Sequence, residues 1–241
     1  MFGRKKKNAA AAGADDIDTE EIPEDRQDSG DEDVEEVEEV EDVEEPSYDR
    51  GEGPFDADEA EDGDAANVLD LGSVRIPMTE GMEVRVEVDE GTGQPAAITL
   101  VHGEGAVQVR AFACPRSGGL WQEARGDIVE QITRDGGSIE EVSGLFGAEL
   151  SATVGMRDPE GNSVVQPIRF VAVEGPRWML QGVFLGQGTD PDAAHDLNAI
   201  FRSLVVVRGD SPMPKGQAIP IVLPENVQRE VEEVEEEAVE D

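Results

Sequence analysis

One short segment has residue types and spacing that could serve chemistry: the run Cys-Pro-Arg-Ser-Gly-Gly at 114–119. A glycine-rich loop that leads into a helix presents backbone N–H groups to an anion, and the helix dipole adds to the attraction. The candidate anion-binding residues are therefore Arg116, Ser117, Gly118 and Gly119. The alternative is an ordinary strand-to-helix connector that contains a buried cysteine.

This segment does not match the familiar phosphate-binding loops. A cysteine phosphatase loop needs an arginine six positions after the cysteine, and position 120 is leucine. A Walker loop needs the pattern GxxxxGK[ST], which the chain lacks. The segment therefore predicts at most an anion-binding loop, without a reaction.

Other residues capable of chemistry are few, namely His102, His195 and the single cysteine Cys114. A catalytic triad needs a nucleophile beside a histidine that a third group orients, and structural zinc ligands come as close pairs. Neither histidine stands in such a pattern, so we predict no catalytic residue, no metal site and no cofactor. One cysteine makes no internal disulfide, which fits a reducing cytoplasm.

Helices and strands must position these residues. Spacings of three and four residues between Trp121, Ala124, Ile128 and Ile132 predict a helix directly after the loop. A second helix is predicted after Gly188, where Asp190 is a good N-cap residue. Its predicted apolar face consists of Ala193, Leu197, Ile200, Phe201 and Leu204. Alternating apolar and polar residues predict strands before each helix.

The predicted fold class is α+β. We expect one mostly antiparallel sheet with two packed helices, in which a strand-strand-strand-helix unit occurs twice. The predicted domain organisation has three parts: a disordered arm at 1–67 with a basic start and an acidic low-complexity stretch, a single globular domain at 68–224, and an acidic tail at 225–241.

Charge separates these three parts. The 241 residues include 57 Asp or Glu and 19 Lys or Arg, for a net charge of -38. The net charge is -21 over 1–67, -9 over 68–224 and -8 over 225–241. So acidic a chain is a poor candidate for binding nucleic acid directly, and no apolar run is long enough to cross a bilayer. We expect a cytoplasmic protein whose acidic arms either keep it soluble or bind a basic partner protein.

Several longer motifs resemble a known family. They are LDLGSVRIPMTEGMEVRVEVDE from position 69, VQVRAFACPRSGGLWQEARGDI, GPRWMLQGVFLGQ and FRSLVVVRGDSPMPKGQAIPIVLP, after the basic start MFGRKKK and an acidic linker. Together they resemble an uncharacterised actinobacterial family, a domain of unknown function whose genes often lie near the one for dUTPase. The stretch WMLQGVFLG with FRSLVVV also resembles the Mog1/PsbP-type sandwich, whose members are mainly binding proteins. The family resemblance implies no activity and no catalytic residues.

The absence of catalytic motifs favours a non-catalytic protein-interaction module over an enzyme. The first alternative is a small-ligand or anion-binding protein, or an enzyme, that uses the 114–119 loop. The second alternative is a charge mimic whose acidic arms compete with nucleic acid for a basic protein.

Overall fold

The computed structural model describes residues 48–60, 67–89, 91–157 and 162–224, all of which belong to one compact unit. Most of the predicted N-terminal arm and the whole predicted C-terminal tail lie outside the described residues. No helix in the described part of the chain is long and apolar enough to span a bilayer.

The described residues form two helices and eleven strands. The helices are α1 (Leu120–Arg134) and α2 (His195–Ser203). The strands are β1 (Phe55–Asp56), β2 (Val68–Asp70), β3 (Val74–Pro77), β4 (Met82–Val88), β5 (Pro95–His102), β6 (Gly105–Ala113), β7 (Ser138–Gly144), β8 (Gly147–Arg157), β9 (Ser163–Gly175), β10 (Trp178–Gly186) and β11 (Val205–Val206).

Two sheets share these strands. The larger sheet has the order β4-β5-β6-β10-β9-β8-β7, and every neighbouring pair in it is antiparallel. The smaller sheet has the order β1-β11-β3-β2, with β1 and β11 parallel. The predicted α+β class, mostly antiparallel with two helices, is confirmed.

The predicted repeat of three strands and a helix does not appear. Six strands precede α1, and four strands, β7 to β10, lie between the two helices. The strands form two sheets instead of one. Strands of two to four residues, such as β1 and β2, are too short to show a clear alternation, so the pattern underestimates their number.

The two faces of the larger sheet support separate cores. Alternate residues of β6, such as Val107 and Val109, lie in the main core with residues of α2 and the smaller sheet. The opposite face packs against α1 through Trp121, Leu150 and Met179. Because side chains alternate across a strand, the central strands contribute to both cores.

Helix α1 contains all of its predicted apolar residues. The second helix, α2, is shorter than predicted, and Ala193 and Leu204 lie outside it. Its first residue is His195, and Asp190 instead caps the preceding turn, accepting from the backbone N–H of Asp192 at 3.0 Å. Leu197 and Phe201 are buried as the pattern predicts, and His195 is exposed. The Asp190 carboxylate therefore forms an Asx turn ahead of α2 and does not cap the helix itself.

The segment 48–60, which the composition places in the acidic arm, contacts the core. The Trp178 indole donates a buried hydrogen bond to Asp56 at 2.6 Å, and the Tyr48 hydroxyl donates to the Gly53 carbonyl at 2.7 Å. Tyr48 also packs edge-on against Phe146. A few side chains of this segment bind it to the core. The average composition of an acidic stretch does not reveal such individual contacts.

One ion pair lies inside the main core. Arg169 and Glu149 are 3% and 1% exposed and form two hydrogen bonds of 2.6 and 3.0 Å. Arg169 also donates to the side chain of Asn198 on α2, and Glu149 accepts from the backbone N–H of Phe146. These additional bonds satisfy both ions, as a buried pair requires.

Candidate functional site

The predicted loop connects β6 to α1. Cys114 is buried, and its backbone N–H donates to the Arg177 carbonyl at 2.9 Å. Gly118 and Gly119 have φ values of 70° and 86°, so both adopt the left-handed conformation that glycine tolerates best. The loop therefore places the first N–H groups of the helix in the position that the sequence pattern predicts.

An anion of the chain itself already occupies those groups. The Glu174 carboxylate accepts from the N–H of Gly119 at 2.8 Å and from the N–H of Trp121 at 2.6 Å. The positive end of the α1 dipole stabilises this negative charge. An external anion would have to displace Glu174 at these two amides. Sequence spacing gave no sign of this partner, because Glu174 lies 55 residues from Gly119.

The Cys114 thiol is unsuited to nucleophilic chemistry. Burial raises its pKa to about 11, and the nearby Glu174 charge adds to the increase. Because the thiolate is the reactive form, this cysteine stays protonated near neutral pH.

Arg116 lies apart from the helix amides, at a cleft of about 520 Å³. Two further arginines, Arg177 and Arg208, line the same cleft. The remaining lining residues are Asp56, Ala57, Asp58, Pro176, Val207, Gly209 and Asp210. We call this feature the arginine cleft. Of the four predicted site residues, only Arg116 contributes to it.

The backbone at Arg177 is strained. It is the only residue other than glycine with positive φ, at 65°, among the described residues. It follows Pro176 in the turn between β9 and β10, at a position where glycine is the usual residue. The left-handed conformation costs a residue with a side chain about 1–2 kcal/mol. Strained backbone of this kind is frequent at functional sites.

Backbone carbonyls accept hydrogen bonds from two of the arginine side chains, and for Arg177 the acceptor is the Gly209 carbonyl at 3.5 Å from Nη2. The Arg177 carbonyl accepts from the Cys114 N–H and, at 3.2 Å, from Arg208 Nε. Arg208 Nη1 donates to the Ser211 carbonyl at 3.0 Å. Neither guanidinium has a carboxylate partner within the described residues, nor has Arg116.

The histidines lie elsewhere. His102 Nδ1 is 3.6 Å from Asp196 Oδ2, and His195 is exposed on α2. Within the described part of the chain, no three His, Cys, Asp or Glu side chains are grouped so that they could hold a metal ion.

A second surface lies at the far end of the β8–β9 hairpin. β7 pairs with β8 only as far as Thr153, and β10 pairs with β9 only as far as Arg169. Within the described residues, 154–157 therefore pair only with β9, and 163–168 pair only with β8. We call this two-stranded extension the hairpin arm. Met156, Val164 and Val165 are exposed on it, and Val165 is 70% exposed.

No sequence pattern predicted the arginine cleft or the hairpin arm as a whole. Pro167 lies on the arm beyond the last residue that pairs with β10, where a residue without an N–H group is tolerated. The cleft combines residues from four separate parts of the chain, which no local pattern connects.

Comparison with known proteins identifies a family. A crystal structure of a Bacteroides thetaiotaomicron protein matches with a TM-score of 0.37 and 14% identity, covering 66% of this chain and 53% of the other. This chain thus spans about half the length of that protein. No curated protein matches. The family model described as "Protein of unknown function (DUF3710)" matches residues 53–230. Because this match covers most of the sequence, the chain belongs to that family of proteins of unknown function.

Proposed function

We propose that the protein is a non-catalytic cytoplasmic interaction module that binds a partner protein through the hairpin arm. The observation that carries this proposal is the two-stranded extension with exposed apolar side chains. Beyond Thr153 of β8 and Arg169 of β9, its two strands pair with each other and with no third strand among the described residues. No comparable group of exposed large apolar residues occurs in the other described segments.

The open strand edges suggest how a partner would bind. A strand without a neighbour presents unpaired N–H and C=O groups, which an extended segment of another chain can pair with. Backbone hydrogen bonds would supply affinity, and the side chains of the arm would select the partner's sequence. Pro167 has no N–H and interrupts the β9 edge, so the β8 edge at 154–157 is the better template.

The composition of the arm differs from that of the surrounding domain. Residues 154–157 and 163–168 contain no Asp or Glu, although the chain has 57. Their only charged residue is Arg157. An apolar surface without carboxylates favours contact within this strongly acidic protein, because no carboxylate there must lose its water.

The acidic segments at 1–67 and 225–241 would act at longer range. Together they carry -29 of the net charge of -38. A charge of this size speeds the approach of a partner with a basic surface and slows the approach of acidic ones. The proposal therefore combines a specific contact at the arm with an electrostatic preference for a basic partner.

Affinity capture from the source cytoplasm tests the proposal, with the Val165→Lys variant compared against Val88→Lys. Val88 is 47% exposed at the end of β4, so its substitution makes the same change away from the arm. We expect Val165→Lys to lose the captured partner and Val88→Lys to retain it, with unchanged melting temperatures for both. Equal retention by both variants would exclude the arm as the contact.

Salt dependence tests the electrostatic part. Removing 225–241 takes away a net charge of -8. We expect weaker capture at low ionic strength and a smaller difference near 0.5 M salt, where the Debye length falls to about 4 Å. Capture that is equally strong for both chains at low salt would show that the tail does not contribute.

A further inference from the structure

The arginine cleft has no role in the contact at the hairpin arm. We propose that it is a binding site for a phosphate monoester whose organic part carries hydroxyl groups. The geometry assigns the phosphate to Arg116, Arg177 and Arg208, and the hydroxyl groups to the carboxylates at the same cleft.

The arginines at this cleft differ from most others in the described chain, because they have no carboxylate partner. Seven arginines of the described chain have a carboxylate partner within 4.0 Å: Arg50, Arg75, Arg85, Arg125, Arg134, Arg169 and Arg202. Four others have none there, and three of these line the one cleft. The fourth, Arg110, lies over the Phe112 ring. Asp56, Asp58 and Asp210 also line the cleft, but none lies within 4.0 Å of these three guanidinium groups, which leaves the guanidinium donors available to an external anion.

Backbone carbonyls bind the guanidinium groups of Arg177 and Arg208 before any ligand arrives. Two backbone carbonyls bind the Arg208 guanidinium, and one of them is the Arg177 carbonyl itself. The Arg177 guanidinium donates one long hydrogen bond, to the Gly209 carbonyl at 3.5 Å. Groups that are already ordered lose less conformational entropy on binding.

The groups that line the cleft suit a ligand with a phosphate and hydroxyl groups. A phosphate monoester has three terminal oxygens and a charge of about -1.5 to -2 at neutral pH, which suits several guanidinium forks better than a carboxylate does. The cleft of about 520 Å³ has room for more than the phosphate. Exposed Asp58 and Asp210 can accept hydrogen bonds from hydroxyl groups, and they disfavour ligands with many negative charges.

Isothermal titration calorimetry of the full chain tests this proposal with four probes: ribose 5-phosphate, inorganic phosphate, ribose and citrate. We expect saturable binding of ribose 5-phosphate, binding of inorganic phosphate that is about 10-fold weaker or more, and none of ribose or citrate. The absence of saturable binding by ribose 5-phosphate would overturn the proposal. Binding of citrate as tight as that of ribose 5-phosphate would also overturn it.

Three variants locate the binding. Arg177→Gly removes a guanidinium and relieves the strained backbone, so ribose 5-phosphate should bind about 10-fold more weakly or worse while the melting temperature stays equal or rises. Arg116→Ser should weaken binding similarly. Arg110→Ser, which removes an arginine outside the cleft, should leave binding unchanged. If Arg177→Gly and Arg116→Ser bind as tightly as the unaltered chain, the site is not this cleft.

Discussion

Arginines serve two different purposes in two regions of this molecule. Under α2, Arg169 is buried, and its donors are bound to Glu149 and Asn198. At the arginine cleft, Arg116, Arg177 and Arg208 reach solvent without a carboxylate partner among the described residues. Even in so acidic a chain, some arginines of the described residues have no carboxylate partner. The paired arginine stabilises the fold, and the unpaired ones remain available for binding.

The largest expected effect concerns the buried pair. Arg169→Met leaves Glu149 charged and unpaired in the core, so we expect a loss of about 3–5 kcal/mol in the free energy of unfolding, measured by urea denaturation. Arg75→Met is the matched control, because Arg75 pairs with Asp70 at 3.1 Å while 42% exposed. That change should cost under about 1 kcal/mol.

The double variant Arg169→Met with Glu149→Leu sharpens this result. It removes both charges, so most of the lost stability should return. Equal losses from Arg169→Met and Arg75→Met would contradict the contrast between buried and exposed pairs.

A smaller effect is expected at the start of α1, beside the cleft. The Glu174 carboxylate, and not an external anion, accepts hydrogen bonds from the helix amides. Glu174→Gln keeps one acceptor oxygen but places an NH₂ group near the second amide, so we expect a loss of about 1–2 kcal/mol in urea denaturation. The control Glu123→Gln removes an exposed acid from the first turn of the same helix together with its solvent-exposed ion pair to Lys215, and it should cost less than about 1 kcal/mol. Identical values for both variants would show that Glu174 does not cap α1.

The smallest effect is expected at the partly exposed pair of Arg50 and Glu59. The hydrogen bonds from Arg50 hold the pKa of Glu59 at about 2, below its ordinary value of 4.5. A pKa lowered by folding stabilises the protein above the unfolded value, and this stability is lost as the pH falls from about 4.5 towards 2. Because the Glu59 side chain is 41% exposed, the contribution should stay under about 1 kcal/mol.

Thermal unfolding of Glu59→Gln and of the unaltered chain at pH 6 and pH 3 measures this contribution. The difference between the two should shrink at the lower pH. Glu140→Gln, which removes an exposed carboxylate from β7, controls for the change in net charge. A difference that is constant or growing between pH 6 and pH 3 would show that the pair does not act in this way.

Local periodicity predicted those parts of the fold in which neighbouring residues determine the structure. The spacing of Trp121 and Ile132 placed α1 correctly, because both residues lie on the buried side of the helix. The predicted loop also lies at the start of that helix. In each case the residues that form the sequence pattern lie within a few turns of each other along the chain.

The rest depends on contacts between distant residues. Glu174 reaches the Gly119 amide from 55 positions away, and Asp56 binds Trp178 from 122 positions away. A strand of two residues, such as β1, has no alternation to detect. The cleft and the hairpin arm were missed for the same reason, since each depends on where neighbouring strands end or meet.

The pairing of β1 with β11 affects the order in which the protein is completed during synthesis. Phe55 lies beside Val205, so about 150 residues must be made before this contact can form. At 5–20 residues per second, a ribosome needs on the order of 10 s for that length. The hairpins of the larger sheet join close neighbours in sequence and can form earlier. The smaller sheet is thus the last to close, and a nascent chain released before Val205 would leave Phe55 without a strand to pair with.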